Sequence, residues 1–201
     1  ELDIEYRGPD SVVVTDGETL VAEATKSPLE LDVPAPPSWE ETLAAKQDSF
    51  SFVNWHNPMQ TDVRGVHPIC FCCGADHESG LDVFAAPVQE GAQVAAIWKT
   101  KKEWAEDGNQ LPDEFLWAAL DCPGQFAYMA GGVFTGMLGR LTGKVHQSAQ
   151  AGDEYLVTGW RINVEGKKHA AGTAIFTRNG ELIASARALW IGQREMPEFL
   201  K

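Results

Sequence analysis

Phe115-Leu116-Trp117-Ala118-Ala119-Leu120-Asp121-Cys122-Pro123-Gly124-Gln125-Phe126-Ala127 decides how the chain reads. Phe115 to Leu120 is apolar on every side of a helix, a pattern expected where a helix is enclosed by protein. Pro112 suits the first turn of such a helix, so the helix is expected to start there and to form the centre of the fold. Asp121 follows directly on the apolar run. A carboxylate withdrawn from water is costly unless partners satisfy it, so its position needs an explanation. Pro123 cannot donate to Ala119 and tends to kink or end a helix at this point.

The chain then turns to β structure. Strands are expected near Val133 to Met137, Lys144 to Ala149, Tyr155 to Val164, His169 to Arg178 and Leu182 to Gly192, with turn chemistry at Ala151-Gly152-Asp153, Gly166 and Asn179-Gly180. Val94 to Trp98 adds a strand before the helix. An enclosed helix followed by a long antiparallel meander is most simply solved by a curved sheet wrapped around the helix, an α+β hotdog fold.

Three segments are expected. Residues 1–33 alternate β-rich runs with turns at Gly8-Pro9-Asp10 and Asp16-Gly17 and read as a β meander. Residues 34–66 read as a linker, stiff at Val33-Pro34-Ala35-Pro36-Pro37, with a short helix opened by Ser38 and Glu41 at capping-box spacing. Residues 67–201 read as the hotdog domain, with loop-rich chain up to about residue 80. Val12 to Ala24 also aligns without gaps on Ala174 to Ala186, each a strand, a polar turn and a strand. Either two hairpins look alike, or the meander is the remnant of a second unit in a partial double hotdog.

The formal net charge of the 201 residues is −13. Residues 1–60 hold 12 acidic and 3 basic side chains, the remaining 141 hold 17 and 13. That surface repels nucleic acid and anionic lipid, so neither nucleic acid nor membrane is expected as a partner. No apolar run has the length of a membrane span, and the N-terminus has no signal pattern. Three of the four cysteines crowd into Cys70, Cys72 and Cys73, unlike a spaced disulfide framework, which fits a reducing, cytoplasmic location.

Leu116 to Ala127 resembles the helix signature of phenylacetyl-CoA-type thioesterases of the hotdog superfamily, in which a leucine-rich turn leads into a carboxylate followed by small residues. Gly139-Arg140-Leu141, Gly152-Asp153, Glu165-Gly166-Lys167-Lys168 and Ala184-Ser185-Ala186-Arg187 resemble its later strands. Cys70-Phe71-Cys72-Cys73-Gly74 with Gly80-Leu81 resembles the lead-in of many bacterial thioesterase-like proteins. The resemblance covers residues 67–192. It implies an acyl-CoA thioesterase acting as a homodimer, with Asp121 as the base or nucleophile. Coenzyme A would be part of the substrate, and no cofactor is implied. Where the family opens the helix with His-Gly-Gly, this chain has Asp113-Glu114-Phe115, whose backbone would then supply the oxyanion donors.

Each assignment has a plain competitor. Asp121 could be a structural carboxylate bonded to backbone at the Pro123 break. Asp113 and Glu114 suit the positive end of a helix dipole. Arg140, Lys144, Gly166, Lys167, Lys168 and His169 form the expected ligand-binding set for coenzyme A phosphates, against an ordinary charged hairpin tip. The departure from His-Gly-Gly motivates the alternative of a non-catalytic hotdog protein that binds acyl-CoA or another small apolar ligand. His67, Cys70, Cys73 and His77 have zinc-ligand chemistry, yet an eleven-residue run rarely wraps an ion unaided, and no metal is expected. Cys122 has no histidine paired with it locally and reads as a small buried residue.

Overall fold

The computed structural model describes residues 2–53 and 65–194 and divides into two compact units, residues 1–30 and 31–201. Strands β1 (Leu2–Tyr6), β2 (Ser11–Asp16) and β3 (Thr19–Thr25) make the first unit, an antiparallel sheet in that order with no helix among its described residues. Gly8 and Gly17, both at positive φ, turn the chain between its strands.

In the second unit, Ser38 caps helix α1 (Trp39–Ala45) by accepting from the Glu41 N–H at 3.1 Å. The Glu41 carboxylate instead accepts from the Gln89 N–H at 2.8 Å, so the helix is tied to the next strand rather than closed by a full capping box. The sheet consists of β4 (Ala86–Val88), β5 (Gln93–Lys99), β7 (Phe134–Val145), β9 (Glu154–Glu165), β10 (Lys168–Thr177) and β11 (Leu182–Arg194), with a minor pair β6 (Gln110–Leu111) and β8 (Ala149–Gln150). The strand order is β4-β5-β9-β10-β11-β7, every pairing antiparallel. The two strands expected around 133–137 and 144–149 are mostly one, because Gly139 to Lys144 extends along β11 without a turn; only Ala149 belongs to another pair.

The helix is two helices, α2 (Asp113–Ala119) and α3 (Cys122–Ala130). The enclosed one is α3, whose residues Cys122 to Met129 are all buried, and not the Phe115 to Leu120 run, where Trp117 is 39% exposed. Pro123 explains the difference: it cannot continue α2 but fits the first turn of a new helix. Residues with small side chains let α3 sink into the sheet. Pro123 lies directly against Gly159 on β9, where a Cβ would collide with the Pro123 carbonyl. Ala171 and Ala188 of the sheet pack with Tyr128 of α3, while Ala184 and Ala186 join the main core with Phe126. The Tyr128 hydroxyl sits 2.7 Å from the carbonyls of Asn163 and Ala170. Thr173 on β10 donates to the Leu120 carbonyl at 2.8 Å, at the joint between the helices.

The opposite face of β9 and β10 carries a second cluster, where Leu156, Trp160, Ala174 and Phe176 are covered by Leu31, Val33 and Trp39. The linker therefore contributes to the core of this unit. Among the described residues no helix is long and apolar enough to cross a membrane.

Two substitutions test this packing by chemical denaturation. Gly159→Ala is expected to lower unfolding stability by about 1–3 kcal/mol through overpacking against Pro123. Thr173→Val keeps the shape but strands the Leu120 carbonyl, for a loss of about 1–3 kcal/mol.

Candidate active site

Leu120 ends α2 and Asp121 precedes α3, so the carboxylate projects from the joint of the two helices. A carboxylate at this N-cap position normally accepts a hydrogen bond from the first turn. Asp121 makes no such bond, and its buried Oδ1 has no partner among the described residues. The structural competitor, a carboxylate held by backbone at the Pro123 break, is thus not what the fold builds. Burial, and after it the charge of Cys70, pushes the carboxyl up to about 6.

Asp121 lines a cavity of about 510 Å³. Ile69, Met137, Leu138 and Trp190 supply apolar wall, and His67 and Gln125 supply polar groups. A register shift between Leu189 and Trp190 brings Leu138 opposite Trp190 on this side, while Arg140, two residues along, pairs with Leu189 on the other. The His67 Nε2 lies 2.7 Å from Gln125 Oε1, and Gln125 Nε2 donates to the carbonyls of Gly136 at 3.2 Å and Thr135 at 3.4 Å. With the amide so oriented, the His67 Nε2–H donates to the Gln125 oxygen. The Trp190 indole N–H is buried and has no acceptor among the described residues.

The other expected site residues are dispersed. Asp113 and Glu114 are exposed at the far end of α2, and Phe115 stacks on Trp104 at 4.7 Å; none of the three lines the Asp121 cavity. The length of α2 separates that end from the carboxylate at the joint. Arg140, Lys144 and Lys168 do fall on one face of the sheet: Arg187 pairs with Thr142 and Gly172, which lie at even spacing from all three. Gly166, at positive φ, and Lys167 form the adjoining turn. His169 points the opposite way. It is 1% exposed and packs edge-on to Tyr128 at 5.1 Å, so it is a core residue and not a surface cation.

Sequence reasoning missed Gln125, Trp190 and the company of Cys122. His67 and Gln125 are 58 residues apart, and only the folded sheet joins them. The weighed zinc set does not assemble: His67 turns to Gln125, and the His77 Nδ1 accepts from the Ser79 N–H at 3.2 Å. Instead Cys122, from α3, meets Cys70 with the sulfurs 3.5 Å apart. Hydrogen bonds from Cys122 and then Cys73 hold the Cys70 thiol far below its ordinary value, and the bond to Cys70 pushes Cys122 up. A separate cavity of about 530 Å³ is lined by Lys46, Lys99, Lys101 and Lys102.

No family model and no curated protein matches the chain. Solved structures do. A crystallised thioesterase superfamily protein superposes with a TM-score of 0.58 at 20% identity over 64% of this chain, which spans 62% of the length of that one. Zebrafish thioesterase superfamily member 2 gives 0.51 at 18% identity over 63% of this chain and 92% of its own. The E. coli PaaI protein from the phenylacetic acid degradation operon gives 0.51 at 13% identity, over 58% and 83%. At such identities the likeness establishes the fold alone: with its antiparallel sheet wrapped on α3, the chain has the hotdog fold.

Proposed function

We propose that the chain is an acyl-CoA thioesterase with Asp121 as its general base. The observation that carries this reading is the Asp121 carboxylate, which stands at the mouth of α3 in an apolar-walled cavity and is not used by the backbone around it. The thioester carbonyl would enter between Asp121 and Trp190. Water adds to the carbonyl carbon while Asp121 takes its proton. The tetrahedral intermediate then collapses, the carbon–sulfur bond breaks, and the proton passes from Asp121 to the leaving thiolate, giving a carboxylic acid and coenzyme A. The buried Trp190 N–H is the available side-chain donor for the oxyanion, in place of the remote Asp113 to Phe115 turn.

The cations have a role in the same reading. Met137 on the cavity wall pairs with Ile191, and Ile191 pairs with Lys168, so Lys168 is two strand spacings, about 10 Å, from the cavity. Lys168 and Arg140 would bind the nucleotide phosphates outside the cavity while the acyl group fills it. A homodimer in the cytoplasm is part of the proposal. The β7 edge of the sheet is where a second copy would complete the groove.

Free-thiol release from a panel of short, long and aromatic acyl-CoA esters tests the reading. Asp121→Asn is expected to lower kcat by about 10²–10⁴-fold with folding intact. Lys168→Glu and Arg140→Glu are expected to raise KM and leave kcat, with a larger effect at low than at high ionic strength. Coenzyme A binding with no turnover of any ester would favour the non-catalytic ligand-binding protein instead, a reading that draws on the absence of His-Gly-Gly at the start of α2.

A further inference from the structure

All four cysteines of the chain are free thiols and converge on one place. The sulfurs of Cys70, Cys73 and Cys122 lie within 4.8 Å of one another. Cys72 is buried alongside, with its sulfur outside that group. Cys72, Cys73 and Cys122 are buried and Cys70 is half-buried, beside the Asp121 cavity.

The turn that presents them is specialised. The Gly74 N–H closes the turn on the Cys70 carbonyl at 2.8 Å. A Cβ on Gly74 would lie 2.5 Å from the Pro68 carbonyl and 2.6 Å from the backbone of Cys70, so only glycine closes it this tightly. Cys122 comes from elsewhere, at the first position of α3. Two thiols three residues apart on a tight turn, met by a third from a helix start, is how a thiolate metal site is preorganised. The spacing fits as well. A metal–sulfur bond of about 2.3 Å puts tetrahedral sulfurs about 3.8 Å apart, close to the 3.5 Å between Cys70 and Cys122, and far from the about 2.05 Å of a disulfide.

We propose that Cys70, Cys73 and Cys122 bind one zinc ion that fastens the Cys70-to-Gly74 turn to the start of α3. Zinc suits three thiolate donors gathered at near-tetrahedral spacing, with the fourth position left to a non-sulfur donor. The set differs from the one an eleven-residue run suggests, because its indispensable member is Cys122, 49 residues beyond Cys73. The ion would be structural, holding the wall that carries Ile69 and Cys70 against Asp121. It stands apart from the thioester reading, since its readout is metal content.

The full chain, purified under reducing conditions without a histidine tag or chelator, is analysed for zinc by atomic emission. It is then stripped with a thiol-binding mercurial and titrated with Co²⁺. We expect one zinc per chain, an intense near-ultraviolet thiolate-to-cobalt band that saturates at one equivalent, and a lower Tm without metal. Cys70→Ser, at the most exposed of the four, is expected to lose the band and reduce zinc to background. His77→Ala is expected to keep both. A folded, reduced protein that takes up neither zinc nor cobalt while its four thiols react freely overturns the proposal. Isolation of the metal-free protein with a Cys70–Cys122 disulfide also overturns it. Failure of ester hydrolysis bears on neither outcome.

Discussion

The break between α2 and α3 governs the rest of the second unit. Pro123 forbids a continuous helix, and Thr173, hydrogen-bonded to the Leu120 carbonyl, fixes where on the sheet the break falls. From that anchor α3 runs inward, sheathed on every side, while α2 runs toward the surface with Asp113 and Glu114 in water. A carboxylate placed at such a joint is held by neither helix ladder. Asp121 is therefore oriented by the rigid elements around it and still keeps an unused oxygen. Had α2 continued straight through, the same side chain would have been one more residue on a buried helix face.

The sheet makes room for this geometry with small residues. Gly159, Ala171 and Ala188 lie under α3, and bulky side chains are reserved for its margins, at Trp98, Trp190 and Phe134. The shift at Leu189 then separates two chemistries along one strand. Leu138 turns toward the cavity, and Arg140, two residues on, turns to the outer face with Lys144. Apolar contents and cationic exterior are thus adjacent, divided by the thickness of one sheet.

The architecture was largely legible in the sequence, because alternation with turn residues and an apolar helix segment are local signals. Ser38 and its helix, and the strands from Tyr155 onward, appear where those signals put them. The enclosed helix was misplaced by about one segment, since Phe115 to Leu120 looks more apolar than Cys122 to Ala130, yet burial is decided by how deep each lies and not by its own composition. Asp121 was legible as a charge in an apolar context. Its neighbours were not. His67 and Gln125, or Cys70 and Cys122, meet only after the sheet has formed, and nothing in the spacing of either pair announces it. His169 shows the reverse failure. One residue of register along a strand moved it from the expected surface row with Lys168 into the core.

The strand order carries a kinetic consequence. β9, β10 and β11 are joined by tight turns and pair with their sequence neighbours, so their contacts close short loops. β5 must cross roughly sixty residues to reach β9, and β7 returns past β8, β9 and β10 to lie beside β11. Loop-closure entropy favours the pairings among β9, β10 and β11 over those that bring in β5 and β7. The Asp121 cavity has Met137 and Leu138 of β7 in its wall, so it depends on one of the costliest pairings, and a chain lacking it would expose the apolar length of α3 to its neighbours.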